Sequence, residues 1–149
     1  MTRNAPKSDA SNRYNKSMKN DNLTLKLNSF KSIRELLKVF STEKKCEKFL
    51  KEVRWGKEVV SPYDENSKVY KCSRDRYRCA NTGKDFNVRT GTLFENTKIE
   101  LRTWFLAIYI ITSHKKGISS LQLSKDLDVT QKTAWFLLES IRKICNFIR

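Results

Sequence analysis

The chain has 149 residues, with 31 Lys and Arg against 16 Asp and Glu, for a formal charge of +15 at neutral pH. At 38% hydrophobic and 32% charged residues it can bury a modest core, and its length suits one domain or two small ones. So large an excess of positive charge attracts a polyanion, with nucleic acid as the default partner and an anionic membrane surface as the second choice.

The longest apolar run, Trp104 to Ile111, is far shorter than the roughly 20 residues that cross a bilayer, so no membrane partner is expected. The opening MTRNAPKSDASNRYNKSMKN is polar and basic and has no apolar core, unlike a secretory signal. The four cysteines, at 46, 72, 79 and 145, form no CxxC pair. Free thiols in a reducing cytoplasm are the simplest reading.

Residues 1–22 lack hydrophobic periodicity and are rich in Asn, Ser and Lys, so they read as a disordered basic arm. Such an arm either lies along phosphates or has no role. Region 23–57 reads as a helical hairpin. In SFKSIRELLKVF, Phe30, Ile33, Leu37 and Phe40 recur at helical spacing, and Ser32 with Glu35 makes a capping box if the helix starts late. In the next helix, capped by Ser41 or Thr42, the stripe is Cys46, Phe49, Leu50 and Val53, with Gly56 as the stop.

From Val59 the period shortens to that of strands. VV, KVYKC, YRC and FNV are β-prone runs separated by turn residues, which predicts three or four short strands within 58–94. Region 95–149 is helical again. LRTWFLAIYIITSHKKG predicts an apolar helix from about 100 to 115, with His114 as a cation near its negative end rather than a base or metal ligand. Ser119 and Gln122 form a capping box for a short helix carrying Leu121, Leu123 and Leu127. Asp128 and Val129 turn the chain, and Thr130 caps a long helix burying Ala134, Leu137, Leu138, Ile141, Ile144, Cys145 and Ile148. Short helix, tight turn and long helix after a buried helix form a helix-turn-helix pattern. The fold class is therefore α+β, mainly α.

The stretch VRTGTLFENTKIELRTWFLAIYIITSHKKGISSLQLSKDLDVTQKTAWFLLESIR resembles the N-terminal half of bacterial insertion-sequence transposases of the zinc-ribbon, DDE type, related to the eukaryotic Merlin elements. The resemblance runs over about residues 29–145 and implies a division of labour. A ribbon and helix-turn-helix would bind the element's terminal inverted repeats, and a following RNase H-like domain would hold two catalytic Mg²⁺ ions. Two departures stand out. The four expected knuckle positions are Ser61, Asp64, Cys79 and Thr82, and only Cys79 offers a thiolate, so zinc and other cofactors are not expected. Residues 58–94 then form a degenerate ribbon, held by Val69, Tyr70, Tyr77, Phe86 and Val88 against Trp55 or the Trp104 helix. The chain also stops where the family's nuclease domain would begin, so no catalytic residues are expected and the chain reads as a truncated transposase, not an enzyme by itself.

In a helix-turn-helix the second helix enters the major groove. With Ala134, Leu138, Ile141 and Cys145 inward, Lys132, Phe136 and Lys143 point away from the core, flanked by Gln131, Thr133, Glu139 and Arg142. Gln131 suits adenine, Lys132 guanine or phosphate, and Phe136 a thymine methyl or an apolar contact with another domain or subunit. Trp135 reads as packing at the core edge. Ser119, Ser120, Gln122 and Thr130, at the helix starts, suit DNA-backbone contacts. Lys71, Arg74, Arg76, Arg78, Lys84 and Arg89, with Tyr70 and Tyr77 interleaved, make a second basic surface that is either a phosphate platform or a solvated hairpin.

The leading reading is a module that recognises the terminal inverted repeats in double-stranded DNA during transposition, in the cytoplasm on the nucleoid. Two alternatives stay open. One is a protein-interaction fragment that binds itself or full-length transposase through Phe136, Phe147 and Ile148, and inhibits or complements it. The other is a decayed remnant with only nonspecific DNA binding.

Overall fold

In the computed structural model of the chain, residues 22–95, 97–114 and 116–148 are described, the side chains of 144–148 excepted. The expected arm thus lies outside the described residues, except for helical Asn22, as do the side chains of Ile144, Cys145, Phe147 and Ile148.

A first helix, α1 (residues 22–28), buries Leu23 and Leu27 four residues apart. This makes the first region three helices rather than a hairpin. Helix α2 (Ile33–Val39) starts late, with Ser32 accepting from the Glu35 amide and Glu35 accepting from the Lys31 amide. Its buried face carries Leu36 and Phe40, while Leu37 is half-buried and Ile33 exposed, which corrects the expected stripe. Helix α3 (Glu43–Arg54) is capped by Thr42 and carries Cys46 and Leu50 into the core. Phe40 sits at the junction, edge-on to Phe30, Phe49 and Phe105.

Helix α4 (Leu101–Ser113) is apolar nearly all round because it is the central element, packed against α2, α3, α5 and α6. Leu101, Trp104, Phe105, Ala107, Ile108 and Ile110 are all buried on it. Helix α5 (Ser120–Leu127) and helix α6 (Gln131–Ile148) complete the helical layer.

Between α3 and α4 lies an antiparallel sheet in the order β1 (Val69–Lys71), β2 (Tyr77–Cys79), β3 (Asp85–Phe86). Strand alternation sends Tyr77, Cys79 and Phe86 to one face, where they form a small second core with Trp55, Val59 and Val69. Tyr77 stacks on Phe86 and both meet Trp55 edge-on. The hairpin thus packs on Trp55 as expected, and Val88 joins the main core that contains Trp104; the exception is Tyr70, which lies on the exposed face. An α+β, mainly α architecture is what the sequence led us to expect.

The β1–β2 turn is unusual in its residues. Arg74 and Asp75 both have φ of 57°, the left-handed pair that Asn-Gly normally supplies. Asp75 is tied back to Lys51 of α3 at 3.3 Å, which offsets part of that strain. We expect Arg74→Gly to stabilise the fold by up to about 1 kcal/mol in urea titration, because glycine occupies this region without a Cβ penalty. An unchanged or lower midpoint would mean the turn is not strained.

Candidate nucleic-acid interface

Local chemistry sets the α5–α6 geometry. The Ser119 hydroxyl accepts from the Gln122 amide to start α5. The Gln122 side chain donates to Asp126 instead of closing the capping box. Helix α5 ends at Asp128, whose φ of 54° lets the Val129 amide reach back to the Ser124 carbonyl. Two residues later, Thr130 accepts from the Thr133 amide and starts α6. The inner face of α6 is Ala134, Leu137, Leu138 and Ile141, all buried; α5 contributes Leu123 and a half-buried Leu127. Leu121, expected on that stripe, is 52% exposed.

The outer surface of this unit collects several of the predicted contact residues. Gln131, Lys132 and Lys143 are exposed, and none makes a side-chain hydrogen bond or ion pair with another described residue. Ser119 and Thr130 are exposed but their hydroxyls serve as caps, Ser120 is half-buried, and Thr133 pairs with Thr130 at 2.9 Å. One aromatic expectation holds and one changes. Phe136 is 44% exposed, as expected, with one edge against Trp104 of α4 at 6.1 Å. Trp135, expected at the core edge, is 57% exposed.

On the sheet, Lys71, Arg74, Arg76, Arg78 and Lys84 are all exposed. Arg78 is held by Asp85 at 2.8 Å, and Lys84 lies over the Tyr63 ring. The register places Tyr70, Arg78 and Asp85 in one row across the outer face. Tyr77 points to the buried face, so the expected pair of interleaved tyrosines is a single exposed Tyr70. Arg89 departs furthest from expectation. It turns inward, bonding the Glu43 carboxylate at 2.7 Å and the Ile99 carbonyl at 3.3 Å, and acts as a strut. The same Glu43 oxygen accepts from the Leu101 amide at 2.8 Å, so α3 caps the start of α4 through a side chain 58 residues away.

A second strut escaped the sequence reading. Arg54 is 9% exposed and donates to the carbonyls of Asn87 and Val88 at 3.2 and 2.8 Å. Burial lowers its guanidinium to about 10, against smaller opposing effects of Glu95 and Tyr63. Gly91, with φ of 75°, passes so close that a Cβ there would lie 3.4 Å from the Arg54 guanidinium. The spacing Cys46, Leu50, Arg54 was the available signal, since it continues a buried face in steps of four.

Among the knuckle positions, Ser61, Cys79 and Thr82 come together. Ser61 is buried and accepts from the amides of Tyr63 and Asp64. Asp64 is turned onto Asn81 at 2.6 Å and the Asn66 amide, which hold its carboxyl below the usual range. One thiol and two hydroxyls are a poor donor set for a structural zinc ion. Among the described residues, no group of three or more His, Cys, Asp or Glu side chains is placed to hold a metal. Cys79 is instead surrounded by hydroxyls. Burial pushes its thiol up, and hydrogen bonds from Ser61, Ser67 and Thr82, with the Thr82 amide, outweigh that and bring it from 9.0 to about 6.

The sign of the consequence follows from linkage. The folded thiol titrates below the unfolded one, so its contribution is present at pH 9, declines as pH falls, and is gone below about 6. Cys46, pushed up mainly by burial to about 12, acts only above 9. We expect the urea midpoint to rise between pH 6 and 9, and that rise to shrink in Cys79→Ser. An equal rise in the variant would contradict the hydroxyl cage.

No family model matches the chain. It is 32% identical over 117 residues to a Halobacterium salinarum protein described as an uncharacterized protein in transposable element ISH50. The match covers 76% of this chain and 37% of that protein, so the chain spans well under half of that relative's length. The likeness is to a protein of a transposable element, which points to an insertion-sequence origin. No solved structure matches. No helix among the described residues is long and apolar enough to cross a membrane.

Proposed function

We propose that the chain is the DNA-binding portion of an insertion-sequence transposase, holding terminal inverted repeats on the nucleoid through a helix-turn-helix formed by α5 and α6. The observation that carries this reading is the start of α6. Gln131 and Lys132 stand exposed, with no side-chain partner among the described residues, at the N-terminal end of a helix whose inner face is buried on α4 and α5, in a chain of charge +15. A helix entering a major groove needs that arrangement: the inner face fixed by packing, the first turn free to meet base edges. The likeness to the ISH50 protein supports the transposition setting. Lys71, Arg74 and Arg76 on the sheet supply a second set of phosphate contacts that add affinity without sequence information. The proposal assigns these residues binding, with cutting and strand transfer left to a nuclease domain.

Binding to a duplex should weaken steeply as salt rises from about 50 to 300 mM, as expected for several phosphate contacts. Lys132→Ala should lower affinity about tenfold or more at fixed salt. Arg89→Ala should leave the salt slope unchanged, because that guanidinium is occupied by Glu43. Affinity independent of salt, or equal for Lys132→Ala and the parent, would contradict the proposal.

A further inference from the structure

The DNA-binding reading leaves one prominent side chain unexplained. Trp135 is the largest exposed hydrophobic side chain among the described residues, and a bare indole is costly to leave in water. On α6 it lies along one ridge with Gln131, four residues before it, and Glu139 and Arg142, four and seven after. Helical side chains lean toward the N-terminus, so the indole covers the surface over the Gln131–Lys132 turn. Its N–H makes no hydrogen bond to another described residue.

The surroundings decide what covers it. Gln131, Lys132, Arg142 and Lys143 are exposed around it, and the one acid on this side, Glu139, is engaged with Arg142 at 3.9 Å. The core of a protein interface is depleted of lysine and acidic groups, which are present here. Phe136, the adjacent aromatic, is 44% exposed but has one edge against Trp104. An indole ringed by amide and cationic groups is complementary to a groove that offers phosphates at its walls and an isolated methyl on its floor. In duplex DNA that methyl is C5 of thymine.

We propose that Trp135 is a specificity-determining residue that selects thymine in the major groove by packing its indole on the C5-methyl group, one turn along α6 from Gln131 and Lys132. This rests on the DNA-binding reading above. It differs from what periodicity suggested, which gave the methyl contact to Phe136.

The test separates the methyl from everything else in the base. Duplexes bound by the full chain are selected from a random-sequence library, and each thymine of the recovered motif is replaced in turn by uracil, which lacks only the methyl. At one position the substitution should weaken the parent about threefold to fivefold, the scale of one buried methyl. Trp135→Ala, at an exposed site, should fold normally by circular dichroism and bind the thymine and uracil duplexes equally. A uracil penalty retained in Trp135→Ala, or no penalty at any position in the parent, overturns the proposal and leaves the DNA-binding reading standing. A dimer that dissociates in Trp135→Ala with unchanged sequence preference also overturns it, since the indole then belongs to a protein interface. Failure to recover any motif overturns both.

Discussion

Trp104→Ala should remove about 3–5 kcal/mol of stability, the range for truncating a large buried aromatic, and the result should be read from urea unfolding. Trp104 is fully buried and joins three parts of the chain. Its ring meets Phe94 of the loop before α4 edge-on at 5.4 Å, and Phe136 of α6 at 6.1 Å. Its indole N–H donates to Thr97, whose hydroxyl donates in turn to the Phe94 carbonyl. Truncation therefore opens a cavity and leaves Thr97 without its donor. Trp104→Phe keeps most of the ring and should cost less than half as much. Because Phe136 has an edge against Trp104, α6 loses part of its seat, so under the DNA-binding proposal affinity should fall in the alanine variant even where it remains folded. An alanine variant with the parent's midpoint would mean that α4 and α6 are held together elsewhere.

Arg54→Ala should cost about 3 kcal/mol, combining lost packing with unsatisfied carbonyls at roughly 1–3 kcal/mol for a buried group. The guanidinium bonds Asn87 and Val88, and stacks over Trp55 at 4.9 Å. It is the pin between the helical layer and the segment that leads from the sheet to α4. One opposing effect limits the magnitude: the buried cation is itself unfavourable, and Arg54 Nε has no partner. Arg54→Met, which fills much of the volume without the charge, should therefore fall between the parent and the alanine variant. A methionine variant more stable than the parent would show that the charge is a net liability.

The helices were legible where their ends carry side-chain signals. Ser32, Thr42, Ser119 and Thr130 each cap the helix that follows; residue type and spacing pointed to each, with Thr42 one of two candidates beside Ser41. Buried faces were less secure. Periodicity put Ile33 and Leu37 inward, whereas the core takes Leu36, about 100° round the helix from Leu37. The first helix was missed although Leu23 and Leu27 have helical spacing, since Leu25 between them, 70% exposed in the fold, makes the segment alternate rather than show a helical stripe. The struts Arg54 and Arg89 were out of reach in a different way. A charge count treats every arginine as available, and their partners lie 33 to 46 residues away in the chain. Trp135 was misplaced for a related reason: a helical wheel for α6 alone does not show which side α4 and α5 cover.

The most direct measurement is fluorescence anisotropy of the full chain with a labelled duplex bearing the terminal repeat of the element that encodes it, against a scrambled duplex of equal length, across about 50 to 300 mM salt. The account predicts a preference of about a thousandfold or more for the repeat, the lower end of the range for sequence-specific binders. Equal, steeply salt-dependent affinity for both duplexes would contradict base reading by α6 and leave only charge attraction.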